Sequence, residues 1–424
     1  MAENGVRQAK RWQKPGDSHL INKTQWGAEE IVAIERVLND DWFGDGQPNR
    51  EFEEELSRFT GIPYFNTTNS GSAALQVATS TLSYDRRLES GDKVLHPVTT
   101  FATSISSAVF LGMIPVFIET KPRTYVADPE QVERAIRAHP DIKGMILPHL
   151  LGNISDIARI KGVLEDRFLI EDCCDTMGGT FNGQHIGTFG DMAAFSFYGS
   201  HHITSLGVGG ALGTREKRYA DYAKSLIFWG RDFDAGGDFM QRYKYETIGT
   251  DSQLSAIQAA FAKAQMSRLS EFVKAREEQF SEMTKIFEAH SYFELPITEP
   301  QARPSWFAYP LMAREDAPFS RQELVAYLAH RNVETRPIMC GNILRQRAFK
   351  YTPRITLDND KFPVGDAIDN RGLFVPCWGM PQEQRENYYS IWNDFLERYK
   401  SSYSIEAITS SRDRATVGGI IPKS

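Results

Sequence analysis

Short apolar stretches alternate with stretches of helical periodicity along the first two-thirds of the chain. In the strand-like stretches the apolar residues are consecutive or alternate with polar ones, whereas in the helical stretches they recur every three to four residues. Strands joined by helices in this way are typical of a largely parallel sheet with helices on both faces. Seven segments are predicted as strands: 63–68, 93–97, 114–119, 144–148, 168–172, 190–197 and 209–213. Four of the predicted helices lie between them or just before them, over residues 49–60, 71–81, 104–111 and 129–138.

Two further helical predictions rest on apolar spacing. A helix that begins near Gly27 places Ile31, Ile34 and Leu38 on one face. A long helical stretch is predicted from residue 251 to about residue 290, and its first half carries apolar residues at helical spacing: Leu254, Ile257, Ala260, Phe261 and Ala264.

The last quarter of the chain has a different order of elements. Residues 305–312 and 332–336 are predicted as strands, and a helix up to His330 opens on a capping box formed by Ser320 and Glu323. The closing helix covers residues 381–399, with a proline at its first position. This order predicts a small α+β domain. We therefore divide the chain into an N-terminal arm (1–21), a large domain (22–294), a small C-terminal domain (295–402) and a flexible tail (403–424).

The composition is that of an ordinary globular protein, and it argues against binding to nucleic acids or membranes. The chain has 424 residues, of which 41% are hydrophobic and 24% charged, and its net charge is -7. A chain of this length exceeds one compact core, and a negative charge without basic clusters argues against nucleic-acid binding. No apolar run approaches the roughly 20 residues of a membrane span, and no signal peptide is expected. We expect a cytoplasmic protein that binds neither membranes nor nucleic acid.

The four cysteines do not follow the spacing of a metal site. They are Cys173, Cys174, Cys340 and Cys377, with no C-x-C or C-x-x-C pair. Zinc sites and iron–sulfur clusters rely on such closely spaced ligands, and four cysteines are too few for a disulfide framework. We therefore expect no metal ligands in this chain.

Three segments could carry chemistry, although each has a structural explanation as well. Residues 69–74 (NSGSAA) follow a strand and open a helix, which would cradle a phosphate or simply start the helix. Residues 170–175 (IEDCCD) end a buried strand, where a carboxylate could hold a ring nitrogen protonated or cap a turn. Residues 196–204 (SFYGSHHIT) contain two adjacent histidines, which could serve as acid–base groups or play a structural part.

Taken together, the three segments resemble the DegT/DnrJ/EryC1/StrS family of sugar-modifying aminotransferases. The family order of a (S/G)-G-(S/T)-x-A-L loop, an E-D strand end and S-F-x-x-x-K is matched by residues 70–75, 171–172 and 196–201. Further matches are residues 97–101 (PVTTF), 149–153 (HLLGN) and 336–342 (RPIMCGN). The resemblance runs from about residue 22 to residue 400. It implies an aspartate aminotransferase-like fold of type I, with a mostly parallel seven-stranded sheet in the large domain.

The same resemblance assigns roles to individual residues. The cofactor of the family is pyridoxal 5'-phosphate, or pyridoxamine 5'-phosphate in its amine form. Gly71 and Ser72, together with Ser196, match the positions that hold the cofactor phosphate. The remaining carry-overs are Asp172 beside the pyridine nitrogen, Phe101 stacked on the ring, Asp175 beside the ring hydroxyl and His201 as the catalytic base.

His201 stands where the family has the lysine that bonds covalently to the cofactor. No lysine lies between residues 183 and 216. This departure resembles the dehydratase branch of the family, and in particular the enzymes that act on GDP-4-keto-6-deoxymannose. It implies removal of the C3 hydroxyl from a nucleotide-linked 4-keto-6-deoxyhexose, in deoxysugar biosynthesis for lipopolysaccharide O-antigen. Glutamate is the expected amino donor, and the expected assembly is a homodimer.

Two other functions stay open at this point. Phe228 to Asp232 resembles the iron–sulfur-dependent, reductase-assisted dehydratases of CDP-sugars, although the chain lacks their cysteine-rich segment. A non-catalytic sensor or scaffold could also have kept the fold after the lysine was lost. A further departure is Asp251, where the family usually has an asparagine that reaches the phosphate in the partner subunit. Either Asp251 turns away from that phosphate, or the contact between subunits differs.

Overall fold

A computed structural model of the chain describes residues 18–86, 88–233, 239–241 and 243–400. The tail predicted over residues 403–424 lies outside these residues, as does all of the predicted arm except residues 18–21. The strands are β1 Tyr64–Thr68, β2 Lys93–Pro97, β3 Ile114–Ile118, β4 Ile142–Pro148, β5 Phe168–Asp172, β6 Thr180–Phe181, β7 Gln184–His185, β8 Met192–Ser196, β9 Gly210–Thr214, β10 Phe293–Glu294, β11 Ala302–Arg303, β12 Tyr309–Ala313, β13 Ile355–Thr356 and β14 Gly372–Val375. The α-helices are α1 Ala28–Asn39, α2 Gln47–Thr60, α3 Gly71–Arg86, α4 Ala102–Val109, α5 Pro129–Ala138, α6 Ile157–Leu164, α7 Lys217–Ile227, α8 Ala256–Met266, α9 Leu269–Glu288, α10 Arg321–His330, α11 Pro363–Arg371 and α12 Gln382–Glu397.

The main sheet contains all seven strands predicted for the first part of the chain. Its order is β1-β9-β8-β5-β4-β2-β3-β13. The strands pair in parallel except β9, which runs antiparallel to β1 and β8. The predicted fold is thus confirmed, and the two-residue strand β13 extends the sheet from seven strands to eight. Because β2, β4, β5 and β8 are parallel, their carboxyl ends share one edge of the sheet.

Helices cover both faces of this sheet. Successive strand residues point to opposite faces, and here they enter two separate apolar cores. On one side α3 and α7 pack against each other, and α3 also contacts β8 and β9; on the other side α5 packs against α6 and β3. Three pairs of neighbouring residues divide between the two cores in this way: Val94 and Leu95, Met145 and Ile146, and Leu169 and Ile170.

A second, antiparallel sheet of β10, β12 and β14 belongs to the C-terminal part. It shares an aromatic-rich core with α9, α10 and α12. The capping box that opens α10 is present as predicted. The strand predicted over residues 332–336 is wrong. This segment makes only single bridges to two different partners, Val333 with His19 and Arg336 with Phe374, so no continuous ladder forms.

The long helical stretch predicted over residues 251–290 is interrupted. The helix begins only at Ala256, where Ser255 and Gln258 form a capping box. Ser267 and Arg268 then separate α8 from α9. The helix α9 reaches both cores, since Leu269 lies in the core of the main sheet and Phe287 in the core of the second sheet.

The helix α1 buries a different face from the apolar one picked out in the sequence. Val37 packs with Ala256 and Ala260 of α8, whereas Ile31 and Leu38 are 44% and 48% exposed. The rotation follows from buried Glu30. Its carboxylate accepts hydrogen bonds from the Gly27 N–H (2.8 Å) and the Gln265 amide (2.6 Å). Apolar side chains of α1 are consequently left on the surface.

None of the helices in the described part of the chain combines the length and the apolar character that a bilayer crossing requires.

Candidate active site

The site lies where the first turn of α3 meets the carboxyl ends of β5 and β8. Gly71, the first residue of α3, is buried there. A methyl group at its Cα would lie 2.7 Å from Ser196 Cβ and 2.8 Å from Cys174 Sγ, so only glycine fits. The first N–H groups of a helix have no acceptor within the helix. This turn is therefore suited to an anion such as a phosphate.

Two hydroxyl groups flank the turn. Ser72 is exposed in the first turn of α3, and Ser196 is half-buried at the end of β8. The Ser196 Oγ accepts a hydrogen bond from the Tyr198 N–H (3.3 Å), which leaves its own O–H free to donate. The structure brings Gly71 and Ser196 into contact, while Ser72 points to solvent at the same helix end.

Asp172 is the buried acid of the site, with 6% of its surface exposed. Its carboxylate accepts hydrogen bonds from the Ser104 hydroxyl (2.6 Å) and from the Cys174 N–H (3.2 Å). Phe101 immediately precedes α4, the helix that carries Ser104, and its ring is 53% exposed. The sequence did not single out Ser104, because nothing in its local pattern shows that α4 lies over the end of β5.

Glu171, the neighbouring acid, faces the other way and is structural. Its carboxylate accepts hydrogen bonds from the N–H groups of Gly187, Phe189 and Gly190 (2.6–2.8 Å) and contacts His149 Nε2 at 3.3 Å. Burial alone would raise the pKa of Glu171, but these contacts hold it below its usual value. His149, Glu171 and Cys173 form a buried group of possible metal ligands. The oxygens of the Glu171 carboxylate already accept the hydrogen bonds from the backbone.

His201 lies beside Ser196 and Asp175. Its Nδ1 is 3.3 Å from the Ser196 carbonyl oxygen, and its Nε2 is 3.8 Å from Asp175 Oδ1. A carbonyl oxygen can only accept, so we assign the proton of the neutral ring to Nδ1 and the lone pair to Nε2. The imidazole packs edge-on against Phe307, with ring centroids 5.2 Å apart.

Both titratable groups of this pair are shifted toward their uncharged forms. Burial, together with the charges of Arg276 and Arg336, lowers the pKa of His201 to about 4. Burial and the negative charge of Asp172 raise the pKa of Asp175 to about 7, against a hydrogen bond from the Leu151 N–H. Near neutral pH, His201 is therefore a neutral base beside a carboxyl group that can hold a proton.

His202 has no such access to the site. It is buried, and its Nε2 lies 3.1 Å from the Ser305 carbonyl oxygen and 3.0 Å from the Ser305 hydroxyl. Burial moves its pKa well below the usual value. Of the two adjacent histidines, only His201 faces Asp175.

The residues behind His201 were missed in the sequence. Asn22 donates a hydrogen bond to the His201 carbonyl oxygen (3.1 Å), and buried Arg276 donates to the Asn22 amide oxygen (3.1 Å). Asn22, Arg276 and Phe307 are separated by up to 285 residues in the chain, and no motif links them. Only the fold brings them together.

The four cysteines are free, and among the described residues no three of them come close enough to share a metal ion. Cys173 and Cys377 are buried, and burial raises the pKa of both thiols, that of Cys377 to about 12. Iron–sulfur clusters need several thiolates at one place. Within the residues that the structure describes, the cysteines do not provide such a ligand set.

Asp251 lies on the loop beside the start of α3. Its exposed carboxylate accepts a hydrogen bond from the Gln253 amide (3.1 Å), and its carbonyl oxygen accepts one from the Asn69 side chain (3.4 Å). Within this chain, the carboxylate is thus bonded to its own loop.

A family model described as the DegT/DnrJ/EryC1/StrS aminotransferase family matches residues 24–388. The lipopolysaccharide biosynthesis protein RfbH of Salmonella typhimurium is 34% identical over 400 residues, which cover 87% of this chain and 90% of that protein. The dTDP-4-dehydro-2,6-dideoxy-D-glucose 3-dehydratase of Saccharopolyspora spinosa is 33% identical over 370 residues, or 81% of this chain and 78% of that protein. The relatives include GDP-4-keto-6-deoxy-D-mannose 3-dehydratases as well as GDP-perosamine synthases.

The fold also matches that of a solved structure. GDP-4-keto-6-deoxymannose-3-dehydratase with a trapped PLP–glutamate geminal diamine has a TM-score of 0.82 to this chain at 24% identity. The match covers 88% of this chain and 99% of that one. At this identity the likeness shows a shared fold.

Proposed function

This chain belongs to the DegT/DnrJ/EryC1/StrS aminotransferase family, and from that premise we propose that it is a 3-dehydratase of a nucleotide-linked 4-keto-6-deoxyhexose. The observation that carries the proposal is the imidazole of His201, which stands where a lysine of the family would hold the cofactor. Its Nε2 is turned to the acid Asp175, 3.8 Å away. The relatives named in nucleotide-sugar and lipopolysaccharide biosynthesis support this class of substrate.

The site fits pyridoxal 5'-phosphate and its amine form, pyridoxamine 5'-phosphate. Gly71 leaves room at the start of α3, where the helix N–H groups, Ser72 and Ser196 would hold the phosphate. Asp172 is a buried carboxylate suited to a protonated ring nitrogen, and exposed Phe101 offers an aromatic surface at the same strand ends. When bound, the amine form supplies a group that condenses with a ketone and a ring that accepts electrons.

The chain's own residues then hold and move protons. Asp172 keeps the proton on the pyridine nitrogen, because a buried carboxylate stabilises a cation beside it. His201 takes up a proton on Nε2 and returns it to the departing C3 hydroxyl. One imidazole can do both because the same ring nitrogen can accept a proton and then donate it. An amine at this position would instead compete for the cofactor carbonyl, which favours transamination. Glutamate remains the amino donor that we expect to restore the amine form.

A direct test uses the purified chain with pyridoxamine phosphate and, in separate reactions, GDP- and CDP-linked 4-keto-6-deoxyhexoses. Mass spectrometry should show a sugar that is lighter by one oxygen atom, because the C3 hydroxyl leaves as water and the amine cofactor supplies the two electrons that turn C3–OH into C3–H. More than one turnover per cofactor molecule should occur only when glutamate is added. Reactions without the cofactor serve as the control. Replacement of the ketone by an amine would instead identify an aminotransferase, and an unchanged sugar in both reactions would favour a non-catalytic sensor or scaffold.

The same preparations also address the iron–sulfur alternative. The four cysteines do not gather at one place, so water loss should proceed in protein whose iron content is far below one atom per chain. Turnover that requires iron and an added reductase would favour the iron-dependent mechanism.

We also propose that the chain forms a homodimer through the surface around α1. Six large apolar side chains between residues 26 and 43 are 44–64% exposed. Monomeric proteins rarely leave a large apolar patch uncovered, and a second copy of the chain would cover it. The six are Trp26, Ile31, Val32, Leu38, Trp42 and Phe43.

Light scattering of the purified protein should give twice the chain mass of 48.0 kDa. The double substitution Ile31→Glu and Leu38→Glu should shift the protein toward the monomer, because it places two charges in the apolar surface. Tyr351→Glu, at a residue that is 81% exposed elsewhere, is the matched control. A dimer that withstands the double substitution would rule out this surface.

A further inference from the structure

Arg276 is a buried cation directly behind the proposed base. It lies in α9 with 2% of its surface exposed. Its guanidinium donates hydrogen bonds to the carbonyl oxygens of Phe307 (2.6 Å), Cys377 (3.3 Å) and Trp306 (3.4 Å) and to the Asn22 amide oxygen (3.1 Å). All four acceptors are uncharged. A charge that is buried without a counter-charge lowers stability, so its retention here calls for a function.

Two of these contacts lead to His201, one to its backbone and one to its ring. Asn22 accepts from Arg276 through its amide oxygen, which orients its NH₂ group toward the His201 carbonyl oxygen (3.1 Å). Phe307 is held through its carbonyl oxygen, and its ring meets the His201 imidazole edge-on. Through Asn22, Arg276 thus fixes the backbone of His201. Through Phe307, it fixes the ring against which the imidazole packs.

The space between the two side chains contains no acid in the part of the chain that the structure describes. Arg276 and His201 line a small void together with neutral residues such as Asn22, Thr204 and Phe272, and with Lys23. The positive charge therefore acts on the imidazole without an intervening carboxylate. In a poorly hydrated interior, such a charge acts over several ångströms.

We infer that Arg276 is a positioning residue for His201, which it orients through Asn22 and Phe307 while its charge favours the neutral imidazole. This inference rests on the proposed function, because it treats His201 as the base. A base is useful only in its unprotonated form, and a cation behind the ring opposes protonation. Asp175, whose Oδ1 lies 3.8 Å from Nε2, is the acid nearest to the nitrogen that takes up the proton.

Several charged or titratable groups lie around His201, including Lys23, which lines the same void. Arg276 of α9 and Arg336 lower its pKa, and buried His202 lies next to it in the chain. Asp172 ends β5 and Asp175 follows it; the Asp175 carboxylate lies 3.8 Å from Nε2. Removing the Arg276 charge removes a cation that lowers the pKa of His201, so this pKa should rise. The activity that depends on neutral His201 must then be lost at a higher pH as the solution is acidified.

The test measures the pKa of His201 directly, by NMR titration of protein labelled with ¹³C in the histidine rings and free of cofactor. The His201→Asn variant assigns the signal. Arg276→Met should raise the pKa of His201 by about one unit. At any pH well below both the wild-type and the raised pKa, kcat/KM should then be about tenfold lower than in the wild type. Arg276→Lys should restore the titration but not kcat, because it keeps the charge and loses the forked hydrogen bonds.

Two variants keep the inference testable even if Arg276→Met does not fold. Asn22→Ala removes the link to the His201 backbone and keeps the charge, so kcat should fall about tenfold while the pKa of His201 stays in place. Asn22→Asp places a carboxylate 3.1 Å from the guanidinium and should raise the pKa of His201. Arg303→Met, which removes an exposed cation paired with Glu277, is the control for net charge.

An unchanged pKa of His201 in both Arg276→Met and Asn22→Asp would overturn the inference. So would an unchanged kcat in Asn22→Ala. The titration needs no substrate, so it gives its answer even if no sugar loses water. A wild-type chain that dehydrates its substrate while the titrations fail would refute only the role of Arg276.

Discussion

Replacing His201 with Asn should slow the loss of water about 10²- to 10⁴-fold, the range that a positioned acid–base group contributes. Asparagine can still donate a hydrogen bond to the Ser196 carbonyl oxygen, as His201 Nδ1 does at 3.3 Å. It has no atom that takes up a proton near neutral pH. The fold and the binding of the cofactor should therefore persist. The measurement is a single-turnover reaction followed by mass spectrometry, with cofactor binding determined by equilibrium dialysis.

His202→Asn is the matched control for this substitution. His202 is buried against Ser305, so the change should lower thermal stability and leave the rate of the folded protein within a few-fold of wild type. If His201→Asn turned over within tenfold of wild type, His201 would not be the base. A comparable loss in both variants would show that the turn as a whole, and not one imidazole, is needed.

His201→Lys asks separately whether position 201 reaches the cofactor. Lysine carries an amine that can bond covalently to the aldehyde of pyridoxal phosphate. The variant should acquire a visible absorption band on addition of pyridoxal phosphate, and borohydride should fix the cofactor to residue 201, which peptide mass spectrometry would locate. Absence of both signals would place residue 201 away from the cofactor and would remove the basis of the proposed mechanism.

Much of the main sheet could be predicted from the sequence because its strands are buried on both faces. Short apolar runs such as residues 93–97 and 168–172 are bounded by polar or glycine-rich turns, and both strands occupy the predicted residues. The C-terminal part was harder. Residues 332–336 have strand-like composition but bond to two separate segments, and their conformation depends on partners far away in the chain. The predicted domain boundary at residues 294 and 295 stays a prediction.

The candidate site divides in the same way. Gly71, Asp172 and Ser196 could be located because each follows a strand or opens a helix at one edge of the sheet, where local sequence and topology agree. Ser104, Asn22 and Arg276 could not, because their significance comes from tertiary contacts. Ser104 bonds to Asp172 across 68 residues of sequence, Asn22 to His201 across 179, and Arg276 to Asn22 across 254. Glu171 shows the limit of this reasoning. It stands beside Asp172 at the end of the same strand, but its carboxylate is used up by hydrogen bonds from three backbone N–H groups.

Replacing Asp172 with Asn should lower kcat about 10²- to 10⁴-fold, because removing one member of a buried ion pair costs about 3–5 kcal/mol and each 1.36 kcal/mol is about tenfold in rate. The substitution should preserve the fold. The Asn oxygen can accept from the Cys174 N–H as the carboxylate does, and its NH₂ group can donate to the Ser104 hydroxyl, which now accepts. The NH₂ group can also donate to the pyridine nitrogen, which then carries no proton.

The decrease in kcat of Asp172→Asn should therefore come from the missing positive charge on the pyridine ring. A cofactor whose ring carries a permanent positive charge can test this explanation. In Asp172→Ala, the shortened side chain leaves space for a methyl group on the pyridine nitrogen. An N-methylated cofactor should restore part of the kcat in Asp172→Ala and none in His201→Asn. Ser104→Ala removes one hydrogen bond from Asp172 but keeps its charge, so kcat should fall less than tenfold. If Asp172→Asn retained the wild-type kcat, or if Ser104→Ala were as slow as Asp172→Asn, the carboxylate charge would not be what Asp172 contributes.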